Sequence, residues 1–258
     1  MPEAVNIDVL MDEHRLFPPT EEFSKKAHIK SMDEYTKIYQ RSITDPEGFW
    51  AEMAEKNLHW YKKWDKILDY DFNKPYVKWF EGGKLNASYN CLDRFINTPA
   101  RNKAAIIWES NDGADHRTYT YQQLYYEVNR FANVLKKHGI KKGDRVTIYL
   151  PMLPETVIAL LACARVGAIH SVVFGGFSAQ ALKERIQDCG SKLVITADYG
   201  ARGNKFIPLK ASADEAVAHC PSVQTMIVVK DRKATLGGIV NVPGRDFWWH
   251  DEINAPDI

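Results

Sequence analysis

The chain has 258 residues and a formal net charge of +1, with 34 Lys+Arg against 33 Asp+Glu. A hydrophobic share of 45% and a charged share of 26% exclude a disordered or fibrous chain and indicate a globular one. The near-zero charge gives no argument for nucleic acid or an anionic membrane as a partner, so any anion site must be local. No signal peptide is recognisable, and the longest apolar run, 157–164, is too short to span a bilayer. We therefore expect a soluble, cytoplasmic protein.

Cysteine and histidine spacing gives no support for a metal or redox site. The four cysteines, Cys91, Cys163, Cys189 and Cys220, are 72, 26 and 31 residues apart, and no CxxC pair occurs. This excludes a zinc ribbon and a thioredoxin-like motif, and it predicts buried, reduced thiols. None of the eight histidines forms a metal-ligand pair at helical spacing. His170 lies within an apolar run, where a buried core histidine is expected.

The amino-terminal third carries helix signals and many aromatic residues. Ser31 and Glu34 have the spacing of a capping box, and Asp45-Pro46 offers an N-cap and a first-turn proline for the next helix. Aromatic residues at helical spacing form a packing face more often than a ligand platform. The aromatic-rich face of this second helix is predicted to contain Phe49, Trp50, Met53, Trp60, Tyr61 and Trp64.

Beyond a Gly- and Asn-rich loop expected at 79–90, strand and helix patterns alternate. Strands are predicted at 103–108, 117–119, 146–150, 169–174, 193–196 and 226–229. Helix starts are predicted at the Thr120/Gln123 capping box, Pro154, Ser178 and about residue 211, with ends at Gly139, Gly167 and Gly190. In the most regular part, strands recur every 23 to 24 residues with helices between them. This pattern predicts an α/β fold, a mostly parallel, doubly wound sheet with flanking helices, preceded by an aromatic-rich helical amino-terminal segment.

Two strand ends carry residues suited to an anionic ligand. Ligands of open parallel sheets collect at the carboxyl ends of the strands. Phe174-Gly175-Gly176 follows one strand, and glycines let a ligand approach the backbone, although a double glycine after a strand is usually a tight turn. The next strand leads into Arg202 and Lys205, with Lys210 nearby and no acidic residue between Asp198 and Asp214. Such a basic loop suits a phosphate, although a solvated surface loop has the same composition.

Several familiar catalytic motifs are missing. The sequence contains no GxGxxG, GxxxxGK[ST], GxSxG or HExxH. The residues alone therefore predict a nucleotide- or phosphate-contacting α/β module without catalytic residues of its own.

Longer stretches of sequence resemble one known family. They include Asp45-Pro-Glu-Gly-Phe-Trp50, Trp79-Phe-Glu-Gly-Gly-Lys-Leu-Asn-Ala-Ser-Tyr-Asn-Cys-Leu-Asp93, Gly143-Asp-Arg-Val146, Arg165-Val-Gly-Ala-Ile-His170 and Phe174-Gly-Gly-Phe-Ser178. On these motifs the chain is identified as resembling the amino-terminal part of the AMP-forming acetyl-CoA synthetases, members of the acyl-adenylate-forming superfamily. The resemblance implies a helical amino-terminal segment at 1–95 and the first part of the AMP-binding domain at 96–258, truncated before the ATP loop.

The resemblance also implies an activity and a partial site. Family members make acetyl-CoA from acetate, ATP and CoA through an acetyl-adenylate, with Mg²⁺ supporting the first half-reaction. The family's CoA-contacting loop falls on Arg202, Gly203, Asn204 and Lys205, just before Ile207-Pro-Leu-Lys210. Arg202 and Lys205 would neutralise the 3′-phosphate of CoA, while Gly203 and Asn204 would offer backbone contacts. Phe174, Gly175 and Gly176 would lie along its adenine and pantetheine.

No catalytic, ATP-binding or metal-binding residue is expected within these 258 residues, because the family's TSGSTG-type loop and its later motifs do not occur. The implied partners are the small-molecule substrates CoA, ATP and acetate, with no nucleic acid and no membrane. By itself the chain is expected to be inactive as a ligase. The alternative interpretation is a stand-alone regulatory module that binds CoA or another nucleotide.

Overall fold

The computed structural model of the chain describes residues 16–203, 205–230 and 241–255. Within these ranges, no helix is both long enough and apolar enough to cross a membrane. The chain divides into two compact units.

The first unit contains the described residues up to Leu58 together with Trp64–Gly82. Its elements are the helices α1 (Glu21–Lys26), α2 (Met32–Thr44) and α3 (Pro46–Asn57) and the antiparallel strands β1 (Lys66–Asp71) and β2 (Tyr76–Glu81).

Both helix starts predicted in this unit are confirmed. The Ser31 hydroxyl accepts a hydrogen bond from the backbone N–H of Glu34 at 3.1 Å, and Asp45 Oδ1 accepts one from Gly48 at 3.0 Å. The second half of the predicted capping box does not form. The Glu34 carboxylate accepts instead from the backbone N–H of Lys30, at 2.9 Å.

The hairpin β1–β2 was not predicted, and two sequence interpretations around it are wrong. Helix α3 ends at Asn57, so Trp60, Tyr61 and Trp64 do not belong to its aromatic face. Leu58 already has extended backbone angles (φ −121°, ψ 144°), which end the helix. The loop predicted at 79–90 begins inside β2 and runs into a helical turn, because the double glycine interrupts the structure only briefly.

The second unit contains His59–Lys63 and the described residues from Gly83 onward. It begins with a π-helical turn at Tyr89–Asp93, a short helix at Arg94–Ile96 and a 3₁₀ turn at Pro99–Asn102. There follow β3 (Ala104–Glu109), β4 (His116–Thr120), α4 (Tyr121–Lys137), β5 (Arg145–Tyr149), α5 (Pro154–Val166), β6 (Ile169–Val172), α6 (Ala179–Cys189) and β7 (Leu193–Ala197). The described chain ends with β8 (Gly200–Arg202), β9 (Lys205–Ile207), α7 (Leu209–Val217), β10 (Thr225–Val229), β11 (Asp246–Trp248) and α8 (Trp249–Ile253).

A five-stranded parallel sheet forms the centre of this unit, in the order β11-β10-β7-β5-β6. Strands β7 and β10 are buried along their whole length, as parallel strands between helices must be. Helices α4 and α5 pack together, and α6 packs on α7. The predicted α/β class with a parallel sheet is confirmed.

The predicted helix ends in this unit also form. Thr120 and Gln123 make both hydrogen bonds of a capping box at the start of α4. Gly167 (φ +76°) and Gly190 (φ +61°) close α5 and α6 in the left-handed conformation that glycine adopts most easily.

Three predictions of burial are wrong. His170 is exposed, because β6 is an edge strand of the described sheet and an apolar run cannot distinguish an edge strand from a central one. Cys91 is exposed and Cys189 is half-buried, whereas Cys163 and Cys220 are buried as expected. Burial raises the pKa of the Cys163 thiol to about 12, so this thiol stays protonated.

Candidate functional site

The chain direction reverses across the sheet next to the predicted site. From β5 the chain passes through α5 to β6 on one side, and then returns through α6 to β7 on the other side of β5. In doubly wound sheets, ligands bind in the crevice at such a reversal, outside the carboxyl ends of the strands. The loops that follow β5 and β7 border this crevice.

Both predicted strand ends pack against the loop that follows β5. A Cβ added at Gly175 would lie 3.0 Å from the carbonyl oxygen of Leu150, and one added at Gly200 would lie 3.5 Å from Cβ of Pro151. Only glycine permits the first approach without a shift of backbone. The two segments, separate in the sequence, therefore meet on Leu150-Pro151.

The loop after β6 is the tight turn that composition allows. The Phe177 N–H donates to the Phe174 carbonyl at 3.0 Å, with Gly175 and Gly176 between them. The Tyr149 hydroxyl, from the end of β5, donates to the Phe177 carbonyl at 2.7 Å and fixes the turn to the sheet. Phe174 is 61% exposed and meets Phe177 edge-on with 5.8 Å between ring centroids. The turn thus presents an aromatic ring to solvent, and a Cβ added at Gly176 would lie 2.7 Å from that ring.

The segment after β7, expected as a basic loop, is a β-hairpin. Strands β8 and β9 pair antiparallel, and their register sets Arg202 opposite Lys205. Gly203 has φ +57°, which the turn requires, and a Cβ there would meet nothing within 4 Å. Lys205 is exposed. Asn204, predicted to offer a backbone contact, lies outside the described residues.

Lys210, which the sequence groups with these basic residues, does not belong to the site. Only 2% of it is exposed, and its Nζ lies 2.7 Å from Asp214 Oδ1 and 2.8 Å from Asp246 Oδ2. Arg245 bonds to both of these carboxylates. Burial raises the pKa of Asp246, but hydrogen bonds from Arg245 and Lys210 outweigh it, so the net pKa lies below the ordinary carboxyl value.

A third segment reaches the hairpin from the turn between β3 and β4. The side-chain amide of Asn111 donates to the carbonyl of Gly203 at 2.8 Å. No local sequence signal could identify this contact, because 92 residues separate the two positions.

Chemistry elsewhere in the described part of the unit is limited. A cleft of about 500 Å³ is lined by residues of α4, α5 and the segment after α4, among them Lys136 and Arg165. It lies at the carboxyl ends of these helices and includes none of the predicted site residues. Within the described ranges, no group of three His, Cys, Asp or Glu side chains could hold a metal ion.

The second unit is a doubly wound α/β unit with a basic hairpin beside its reversal point and a glycine turn after the neighbouring strand β6. Comparison with protein families gives the narrower assignment. The model of the AMP-binding enzyme family matches residues 92–256, and that of the acetyl-coenzyme A synthetase N-terminus matches residues 35–91. The chain belongs to the AMP-binding enzyme family, which confirms the resemblance found in the sequence.

Individual relatives agree with this assignment. An acetyl-coenzyme A synthetase of Leptospira biflexa serovar Patoc is 52% identical over 248 residues, which are 96% of this chain and 38% of that protein. An acetyl-coenzyme A synthetase of Gemmatimonas aurantiaca is 51% identical over 248 residues, 95% of this chain and 37% of the relative. The chain thus spans less than two fifths of the length of these curated relatives.

A solved structure supports the fold. Acetoacetyl-CoA synthetase from Streptomyces lividans has a TM-score of 0.75 to this chain at 23% identity, and the match covers 91% of this chain and 35% of that one.

Proposed function

We propose that the chain is the amino-terminal part of an acetate–CoA ligase that makes acetyl-CoA from acetate, ATP and CoA through an acetyl-adenylate, releasing AMP and pyrophosphate. Both family models and the names of relatives near 50% identity support this proposal. The observation that carries it is geometric. Two loops suited to a nucleotide meet on Leu150-Pro151, beside the reversal point of the sheet.

The basic hairpin is proposed to hold the 3′-phosphate of CoA. The register pairs Arg202 with Lys205, so two cationic residues flank a single turn. Among the described residues, no carboxylate forms an ion pair with Lys205, which leaves its charge available to a ligand. Gly203 and Asn204 would add backbone contacts, since glycine lets an anion approach N–H groups closely.

The turn after β6 is proposed to lie along the adenine and pantetheine of CoA. The exposed ring of Phe174 offers a stacking surface for a base. The backbone of Gly175 and Gly176 would lie along the thin, extended pantetheine chain, on the side that Leu150 and the Phe174 ring do not cover. The aromatic turn would therefore contribute shape and stacking, and the hairpin would contribute charge.

In this proposal the chain binds and orients CoA and supplies no reacting group. Thioester formation requires the thiol to be held against the acyl-adenylate carbonyl, and such positioning accounts for much of the rate. Magnesium is proposed to bind outside this chain. We also propose the two-part organisation 1–95 and 96–258, and a cytoplasmic location in line with the free cysteines Cys91, Cys163, Cys189 and Cys220.

Calorimetric titration of the chain with CoA and with 3′-dephospho-CoA tests the phosphate assignment. We expect tighter binding of CoA, and an R202A/K205A double variant should lose about tenfold in CoA affinity while its affinity for dephospho-CoA stays unchanged. Added salt should weaken CoA binding to the unmodified chain, because Lys205, one of the two proposed cations, is exposed. Lys136→Ala, an exposed lysine of α4 outside the site, is the matched control and should change nothing.

Equal affinity of the unmodified chain for the two ligands would contradict the proposal. So would an equal loss in the Lys136→Ala control, because the effect would then be one of overall charge. Binding far weaker than in a whole ligase is expected, since most of the CoA contacts lie elsewhere. Submicromolar affinity would instead favour the stand-alone regulatory module.

A further inference from the structure

The tip of the β8–β9 hairpin is held by a residue from a distant part of the chain. Asn111 Nδ2 donates to the Gly203 carbonyl oxygen at 2.8 Å. Gly203 directly follows Arg202, at the point where the register pairs Arg202 with Lys205. The bond therefore holds the Gly203 carbonyl, directly after Arg202, one of the two residues proposed to hold the 3′-phosphate.

The hairpin needs such support. Its strands have three residues each, and two-stranded hairpins are marginally stable in water even when they are longer. Pairing of two basic residues across a ladder destabilises it further. At its base, Gly200 packs closely on Leu209 and Pro151, whereas its tip is bonded to the side chain of Asn111.

The turn that carries Asn111 is itself braced. Within the turn, Ser110 Oγ donates to Asp112 Oδ1 at 2.6 Å and accepts from the Asp115 N–H at 2.9 Å. Behind it, Trp108 Nε1 in β3 donates to the carbonyl of Met152 at 2.6 Å, in the loop that follows β5. The turn that carries Asn111 is therefore held at the carboxyl edge of the parallel sheet, and this fixes the position of the Asn111 amide.

The other strand of the β3–β4 hairpin, β4, is held by side-chain contacts as well. Arg117, in β4, donates to both carboxylate oxygens of Glu155 in the first turn of α5, at 2.7 and 3.3 Å. Its guanidinium also lies 4.5 Å from the ring centroid of Trp108. Both strands of the β3–β4 hairpin are thus attached to the β5–α5 connection.

We infer that Asn111 is a positioning residue that sets the preference for CoA over 3′-dephospho-CoA, an inference that rests on the proposed function. Asn111 acts through the Gly203 backbone and not on the ligand. By holding the tip in one geometry, it removes part of the ordering cost that the hairpin would otherwise meet on binding the 3′-phosphate. The effect is confined to the phosphate, since the adenine and pantetheine are assigned to the turn after β6.

The test combines ligand titration with limited proteolysis of Asn111→Ala in the full chain. We expect CoA affinity to fall about three- to tenfold, as for the loss of one hydrogen bond, with dephospho-CoA affinity unchanged. Trypsin cleavage after Arg202 and Lys205, followed by mass spectrometry without ligand, should accelerate by a similar factor. Asn73→Ala, an exposed asparagine in the β1–β2 turn, is the matched control and should alter neither readout.

The outcomes separate this inference from the proposal beneath it. Unchanged CoA affinity and unchanged cleavage in Asn111→Ala overturn the inference alone, provided that the unmodified chain discriminates between the two ligands. An equal loss for both ligands also overturns it, because Asn111 would then have only a general structural role. If the unmodified chain does not discriminate, the assignment of the hairpin to the phosphate fails and the inference fails with it.

Discussion

Two groups of basic residues in the second unit are built in opposite ways. Lys210 is 2% exposed and lies between the carboxylates of Asp214 and Asp246. Lys205 is only five positions earlier, yet it is exposed, and no ion pair with a carboxylate is found for it within the described ranges. A charge that is fully neutralised thus lies five positions along the chain from one that faces solvent.

The two lysines differ in environment because a buried charge and an exposed charge contribute differently to folding. A buried charge must be paired, because removal of one partner leaves the other unsolvated in a medium of low polarity. An exposed charge contributes little to folding, since water and salt already stabilise it. Lys210 and its partners therefore connect α7 to β11, while Lys205 remains available to an anion.

The largest expected effect is on the buried group. Asp246→Asn should lower the free energy of unfolding by roughly 3 kcal/mol, because Lys210 and Arg245 lose a shared counter-charge in a buried position. Urea unfolding followed by circular dichroism measures this loss. Asp251→Asn is the control, since that carboxylate is 67% exposed. A loss below about 0.5 kcal/mol in Asp246→Asn, the range of surface substitutions, would remove the contrast between the two groups.

The buried group should also make the free energy of unfolding depend on pH in the acid range. The folded pKa of Asp246 lies below its ordinary value, despite burial, because Arg245 and Lys210 donate hydrogen bonds to it. Its contribution to stability is then complete above the unfolded pKa of about 3.9 and is lost as the pH falls through the folded value. Urea midpoints measured between neutral pH and about pH 3 should fall less steeply in Asp246→Asn than in the unmodified chain. Parallel pH curves would show that another carboxylate is responsible.

The smallest expected effect on stability is at the hairpin. Lys205→Ala should change the free energy of unfolding by less than about 0.5 kcal/mol, because an exposed side chain loses few contacts. The same urea titration measures it, in low and in high salt. A clear destabilisation that disappears in high salt would mean that Lys205 pairs with an acidic group and is not reserved for a ligand.

Local signals predicted much of the second unit correctly. The Thr120/Gln123 box and the glycines after α5 and α6 act within one turn of helix, so the sequence alone identifies them. The spacing of apolar segments gave the alternation of strands and helices. Ligands of parallel sheets bind at the carboxyl ends of the strands, and this rule indicated the two strand ends that meet on Leu150-Pro151.

The predictions that were wrong concern the environment of individual residues in the folded chain. His170 lies in an apolar run but on an edge strand, and Lys210 belongs to a basic run but points into an ionic cluster. A run of the same composition can be buried or exposed, so composition alone cannot predict whether His170 or Lys210 is buried. Trp60 and Trp64 fit a helical spacing by position alone, although the helix ends before them.

By itself the sequence determined the fold class and the family and proposed the residues for a phosphate site, because periodicity, caps and motifs are properties of neighbouring residues. Only the tertiary structure decided which of these residues lie close together. It paired Arg202 with Lys205, removed Lys210 and brought Asn111 to Gly203. The physical reason is that burial and long-range hydrogen bonds depend on which segments the sheet brings together, and a run of neighbouring residues does not contain that information.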